Sequence, residues 1–360
     1  MNQAANNLLT VLYTRRAYAP LDELAATAKL SRVAVIGTLD VLRQRGLAIE
    51  VSPAGVRLGR PVGLDAHLIE HGLGTRRVGR NVIVFGEVES TNDVALDSSR
   101  QADADGLVVL AERQRAGRGR LGRRWASPAG ANVLMSVLLL DDPARLSCEA
   151  LTIAAGLAVA EAVEQAVPVS ARLKWPNDVL IDDAKVCGIL VEVRRHPRRA
   201  VVVGVGINVN AAPPPEAVTR PATWLADHAQ GPLERIDLVR AVLQRLDAWV
   251  GHITGESNVA PGRGRDARET RGQDALATCD GPRDTAPSPT LIPSPSPTVT
   301  RRLHDQWLAR CGMINQRITV RSGGETFTGR VLDIDPLEGL ILQTDTGQQL
   351  RLPAATSSVE

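Results

Sequence analysis

Two apolar stretches, Ile189 to Val193 and Val201 to Val205, follow one another with no helical segment between them, and this constrains the fold more than any other feature. Parallel neighbours need a crossover of about a dozen residues or more, usually a helix. The succession therefore calls for a mixed or antiparallel sheet rather than a strict βαβ repeat. Val82 to Phe85, Leu107 to Ala111 and Ala131 to Leu140 read as further strands, and Leu151 to Val167 as an amphipathic helix. Residues 80–253 are thus expected to form one α+β domain around a central mixed β-sheet with helices.

The flanks differ in kind. Leu8, Leu9, Val11 and Leu12 suit one helix; Leu21, Leu24 and Ala25 follow Pro20 in a second; Ser31 caps a third that runs to Arg45 and stops at Gly46. Leu47 to Val51 and Val56 to Leu58 flank a turn at Ser52-Pro53-Ala54-Gly55, giving a hairpin. That order predicts a winged helix-turn-helix over residues 1–62. From 254 to 300 the composition shifts to Gly, Arg, Asp, Thr, Ser and Pro with no apolar period, so this insert is expected to be disordered. Its Gly262-Arg263-Gly264-Arg265 reads as a solvated basic linker. A helix carrying Leu303, Trp307 and Leu308 follows over 301–313, and alternating segments with tight turns predict a small β-barrel over 314–360.

A net charge of +2, from 42 basic and 40 acidic residues, excludes a globally basic coat for nucleic acid, so any anion site is local. Cys148, Cys187, Cys279 and Cys311 show neither Cys-x-x-Cys pairing nor a His partner at zinc spacing. No fixed protein metal site is expected. Neither a signal peptide nor an apolar run of about 20 residues is present, which predicts a cytoplasmic protein with no membrane partner.

Glu112 to Trp125 is the stretch richest in chemistry, with glycines that let the backbone bend closely and arginines whose forks meet phosphate or carboxylate oxygens. Gly117-Arg118-Gly119-Arg120-Leu121-Gly122 satisfies Gly-x-Gly-x-x-Gly, yet Ser127-Pro128 and Gly130 deny the helix that a dinucleotide fingerprint needs. A nonspecific nucleic-acid patch leaves Trp125 and the glycines unexplained. Further on, Asp178 and Lys185 bracket a β-turn at Asp182-Asp183, so their side chains can meet at one end of a hairpin after Lys174-Trp175-Pro176-Asn177. Such a lysine suits a phosphoryl anion and an aspartate beside it suits an amine; taken alone, the two read more readily as a surface pair, a reading that the neighbouring Trp, Pro and Asn weaken. Val201 to Asn210 is an apolar strand punctuated by Gly204 and Gly206, which is either a close approach to a ligand or a buried strand with a bulge.

Gly117 to Trp125, Lys174-Trp175-Pro176-Asn177-Asp178, Lys185, Gly188 to Glu192 and Gly204 to Asn208, with Ser90-Thr91-Asn92 ahead of them, together resemble the signature set of biotin protein ligases, in the same order. The resemblance extends to the bifunctional ligase and biotin operon repressor group. It implies a class II synthetase or biotin/lipoate ligase-like catalytic domain and an SH3-like C-terminal barrel. It implies ATP-dependent biotinylation of a lysine on a biotin carboxyl carrier protein through biotinyl-5'-AMP, with ATP, Mg2+ and biotin as reactants. By the same resemblance Ser90, Thr91, Asn92, Gln114, Arg118, Arg120, Lys185 and Gly188 bind biotin. Arg118, Arg120, Arg123, Trp125, Asn177 and Asn208 hold ATP or the adenylate. Lys185, Asp178 and Arg120 carry the catalysis, and Gly117 begins a loop that orders over the ligand. Operator DNA and a homodimer in the adenylate-bound state are the implied partners, with Ser31, Arg32 and Thr38 toward DNA.

Two rivals remain at this level. Lipoate ligases are similar in fold but differ in the glycine-rich loop and lack Lys-Trp-Pro-Asn-Asp. A winged-helix sensor of biotinyl-adenylate without ligase activity would need neither Asp178 nor Lys185.

Overall fold

A computed structural model of the chain describes every residue except 1–2, 102, 141–145, 196–198, 219, 256–296, 336–338 and 360. It opens with α1 (Gln3–Arg15), α2 (Leu21–Ala28) and α3 (Arg32–Gln44), followed by an antiparallel hairpin of β1 (Ile49–Ser52) and β2 (Gly55–Leu58). Leu8, Leu12, Leu24, Val35, Leu39 and Leu42 close on Val56 and Leu58 as a core. The Ser31 hydroxyl accepts from the Ala34 amide at 3.2 Å and caps α3, a role that contributes about 1 kcal/mol.

Thr38, expected at DNA, is only 7% exposed. It lies on the same helical stripe as Val35, Leu39 and Leu42, which the periodicity sends inward. The outward face of α3 instead presents Val33, 80% exposed, with Ile36 and Val41.

The stretch 63–79, which the expected domains leave between them, holds α4 (Ala66–Glu70). Arg240 donates to the carbonyls of Leu68 and Ile69, and Glu70 accepts from the Val82 amide at 2.7 Å, so this stretch is fixed to the central part.

The central part runs through β3 (Val82–Val88), α5 (Thr91–Ser98), β4 (Val108–Gln114), β5 (Val133–Leu140), α6 (Cys148–Ala166), β6 (Arg172–Lys174), β7 (Asp178–Ile181), β8 (Ala184–Arg194), β9 (Ala200–Ile207) and α7 (Arg235–Thr254). Its seven strands lie in the order β3-β4-β5-β9-β8-β7-β6. β3 and β4 are parallel with α5 in the crossover, and the remaining neighbours are antiparallel. β5 sits inside the sheet with all eight residues buried, which explains an apolar run without alternation. Val133, Met135, Val137 and Leu139 join the larger core with Ile153, Leu157, Val239 and Leu243 of α6 and α7. Leu138 and Leu140 face the other way, with Ala95 of α5 and Val202 of β9.

α7 ends at Thr254 with Gly255 as its left-handed cap (φ 78°), and α8 begins at Pro297 and runs to Arg310. The expected insert of 254–300 is therefore shorter at both ends: Gly255 can adopt the positive φ of a cap, and proline is well suited to a first helical position. The rest of that expectation, 256–296, lies outside the described residues. Leu303 and Trp307 of α8 are buried.

The C-terminal part is a five-stranded antiparallel sheet of β10 (Arg317–Ser322), β11 (Glu325–Asp335), β12 (Gly339–Thr344), β13 (Gln349–Leu352) and β14 (Ser357–Val359), in the order β13-β12-β11-β10-β14. The last strand, unforeseen from sequence, pairs with β10. No described helix is long and apolar enough to cross a membrane.

Candidate active site

The site lies on the α5 side of the central sheet, and the two-residue period of the strands explains its floor. In the paired register Leu134, Gly206 and Gly188 form one cross-strand row, and Ser136, Gly204 and Leu190 the next. Odd-numbered neighbours such as Val203, Val205 and Ile207 go into the core. The glycines leave a depression above the sheet, and a cavity of about 350 Å³ opens there, within the size range of small-molecule sites.

Trp125 occupies part of this floor. A Cβ on Gly206 would come within 2.5 Å of its indole, and one on Gly188 within 2.9 Å. The indole thus lies directly against the backbone of β8 and β9, with the Lys185 ammonium 5.4 Å from its ring centre. The expected pairing of Lys185 with Asp178 is present at 2.6 Å, across a turn whose Asp182 and Asp183 both have positive φ. The Lys185 amide donates to the Pro221 carbonyl and its carbonyl accepts from the Thr223 amide, so the segment around Ala222 fixes this edge of the strand.

At one end of the cavity Ser90, Thr91, Asn92 and Gln114 come together as expected. Gln114 Oε1 accepts from the Thr91 amide at 2.7 Å and from its hydroxyl at 3.0 Å. Asn92 donates from Nδ2 to Glu192 Oε2 at 2.6 Å, leaving its Oδ1 to Ser136 Oγ at 2.5 Å. The fully buried Ser136, which sequence reasoning missed although it is the one polar residue in Val133–Leu140, supports this cluster from β5 through Thr91 and Asn92. Gly204 has no room for a side chain, because a Cβ there would sit 2.4 Å from Asn92 Oδ1.

The arginine loop folds back on itself: Trp125 donates to the Gly117 carbonyl, Gly119 to that of Arg123, and Arg118 bridges Arg124. A single 3-10 turn at Arg120–Gly122 forms its tip. Arg120 and Arg123 line the cavity. Arg120 donates to the carbonyls of Ala354 and Ser357, tying the loop to the C-terminal sheet. Burial lowers the pKa of its guanidinium, against the pull of Asp178 and with the repulsion of Arg123.

Arg118, expected at the biotin carboxylate and phosphates, lines the cavity and is held by carboxylates. Its two Nη atoms meet Asp93 at 2.7 Å each, and one also meets Glu192 at 3.1 Å. These carboxylates, Asp93 first, raise its pKa, and the guanidinium holds Asp93 below the usual aspartate range.

At the other end stand Asn177 and Asn208. Asn177 donates to the Ile189 carbonyl at 2.7 Å and is 3.5 Å from Arg120. Asn208 donates to the Thr223 carbonyl at 3.1 Å. Asn208 Oδ1 and Trp125 Nε1 are buried with no hydrogen-bond partner among the described residues, so an acceptor and a donor belong to residues that line the cavity. Among the described residues no three His, Cys, Asp or Glu side chains gather as metal ligands.

Of the three residues expected at DNA, Ser31 is used as the α3 cap, Thr38 is buried, and Arg32 reaches Asp22 at 3.3 Å on an open surface.

Residues 84–210 match the Biotin/lipoate A/B protein ligase family, and residues 313–356 match the Biotin protein ligase C terminal domain. A biotin--[acetyl-CoA-carboxylase] ligase of Paracoccus denitrificans is 31% identical over 282 residues, which are 76% of this chain and 98% of the relative. The bifunctional ligase/repressor BirA of Bacillus subtilis (strain 168) is 35% identical over 219 residues, 59% of this chain and 67% of the relative. In three dimensions the chain is similar to the biotin protein ligase from Aquifex aeolicus in complex with biotin and ATP, with a TM-score of 0.58 and 24% identity over 78% of this chain and 99% of that one. At that identity the likeness is one of fold.

Proposed function

Because the chain belongs to the biotin protein ligase family, we propose that it joins biotin to ATP as biotinyl-5'-AMP and passes the biotinyl group to a lysine of a biotin carboxyl carrier protein. The observation that carries this reading is the convergence on one cavity of a polar cluster, a lysine held by an aspartate, and a tryptophan lying on glycine backbone. The cluster of Thr91, Asn92 and Gln114 offers donors and acceptors suited to a cyclic urea, with Ser90 beside it. Trp125 and Asn208 are suited to a purine: one gives a flat face, the other an acceptor on a fixed amide.

In the first step a carboxylate oxygen of biotin bonds to the α-phosphorus, and the bond to the bridging oxygen breaks, releasing pyrophosphate. The Lys185 ammonium, oriented by Asp178, stabilises the charge that develops on the α-phosphoryl oxygens. Arg120 and Arg123 face the leaving phosphates, and Asn177 steadies Arg120. In the second step the acceptor amine attacks the anhydride carbonyl, AMP departs, and Asp178 is placed to hold the entering amine. The folded loop and its tryptophan keep water from the anhydride between steps. Mg2+ would neutralise phosphate charge when bound with ATP, and no step is assigned to it.

The test is direct. Protein, biotin, ATP and an apo carrier domain should yield biotin on one acceptor lysine, with AMP as the nucleotide product. Transfer of lipoate in place of biotin would favour the rival ligase. Absence of transfer with retained binding of biotinyl-adenylate would favour a sensor.

A second activity is proposed for the first sixty residues, as a winged helix-turn-helix that binds operator DNA and represses biotin synthesis, with a homodimer as the binding form. It is supported by the order helix, helix, helix, hairpin and by the similarity to the bifunctional ligase/repressor. The pairing of Arg32, Arg43 and Arg45 with Asp22, Asp40 and Asp65 makes weak, salt-sensitive binding the expectation. Mobility shifts on biotin-gene promoter DNA with and without biotin and ATP, in rising salt, decide it. An SH3-like barrel for the C-terminal sheet belongs to the same reading.

A further inference from the structure

We propose that Asp93, with Glu192, is a positioning residue that holds Arg118 and so pins the near flank of the glycine-rich loop over the cavity while the adenylate is retained. This inference rests on the ligase reading above. Asp93 directly follows the Ser90-Thr91-Asn92 cluster in the first turn of α5. Its two oxygens meet the two Nη atoms of Arg118 at 2.7 Å each, the fork-on-fork geometry that gives arginine pairs their direction as well as their strength.

Glu192 joins the same guanidinium from β8, and its Oε2 also accepts from Asn92. A chain of contacts therefore runs from the loop through Arg118, Glu192 and Asn92 to Ser136 and Thr91 at the polar end of the cavity. Anchorage is then threefold: Arg118 on α5 and β8, Trp125 on Gly188 and Gly206, and Arg120 on the carbonyls of the C-terminal sheet.

Charge decides between this role and anion binding. Two carboxylates surround one guanidinium, so the local sum is −1, and an incoming phosphate or carboxylate would be repelled by the groups already seated there. Arg120 and Arg123, by contrast, have no carboxylate in ion-pair contact among the salt bridges of the described residues, and both line the cavity. The low pKa of Asp93 keeps the pair ionised through the neutral range.

The test separates making the adenylate from keeping it. Asp93→Asn should leave biotin-dependent pyrophosphate exchange within about twofold of wild type, since no group at the α-phosphate changes. Escape of biotinyl-adenylate in the absence of acceptor should rise about twofold to fivefold, the upper part of the range for losing one partly exposed ion pair. Asp93→Glu should recover part of that retention, and Asp93→Asn with Arg118→Ala should leak no faster than Arg118→Ala alone. Wild-type escape from Asp93→Asn overturns the proposal. So does additivity in the double variant, or a rise in the KM for ATP in Arg118→Ala without faster escape, because Arg118 would then be serving the anion. Failure of the wild type to form adenylate would instead strike at the ligase reading itself.

Discussion

Gly206→Ala adds one methyl group where the Trp125 indole meets the sheet. The new Cβ would lie 2.5 to 2.8 Å from three indole atoms, against about 3.4 Å or more for ordinary contacts between non-bonded atoms. Backbone on the strand side cannot give way, because Gly206 is paired on both edges, with Leu134 and Gly188. The tryptophan must therefore lift by about 1 Å, at the overpacking cost of about 1–3 kcal/mol. Since the loop carries Trp125, that cost should fall on closure and nucleotide affinity rather than on the fold. Affinity for ATP is expected to weaken about 5- to 150-fold, the equivalent of that energy. Single-turnover adenylate formation over a range of ATP concentrations gives the affinity, and a melting curve reports on the fold. An unchanged ATP dependence would refute the packing argument, and a large fall in Tm would show that the indole belongs to the structural core instead.

The buried Arg235, 4% exposed, pairs at 2.6 Å with the half-buried Glu112, whose Oε1 also accepts from the Leu64 amide and so joins the stretch before α4 to β4. Glu112→Gln leaves a buried guanidinium without its counter-charge, which should cost about 3 kcal/mol and lower Tm by roughly 5–10 °C; a melting curve within 1 °C of wild type would contradict it. Burial raises the pKa of Cys187 and Cys148, and lifts Cys311 to about 11. A raised thiol pKa means neutral, unreactive sulfur at pH 8, with alkylation rising only as pH approaches the folded value. Iodoacetamide at pH 8 should therefore leave these three unmodified in native protein and ligase activity intact; rapid labelling of Cys187 by peptide mass spectrometry would overturn that.

The sheet was legible because its apolar runs are too close together for helical crossovers, and the site because its glycines recur at even positions of β8 and β9. The Lys185–Asp178 pair followed from the turn between them. Ser136 stayed hidden inside an apolar strand, since a single hydroxyl in Val133–Leu140 reads as tolerated polarity until the register sets it against Asn92. The partners of Arg118 stayed hidden for a related reason: local sequence shows the cation but not the carboxylates of Asp93 and Glu192, which arrive from α5 and β8. Thr38 was drawn to DNA by its helix alone, whereas its stripe with Val35, Leu39 and Leu42 turns it inward. β14 is three residues long and pairs across the sheet with β10, so no local period announces it.

The central claim, that Lys185 serves a phosphoryl anion formed from biotin and ATP in this cavity, is tested most directly by isotope exchange between pyrophosphate and ATP without acceptor protein. Wild type should exchange only when biotin is present, and Lys185→Ala, with an unchanged melting curve, should fall by at least about 100-fold, the loss typical of removing a group that stabilises developing charge. Exchange that needs no biotin, or that continues at the wild-type rate in Lys185→Ala, would contradict the account.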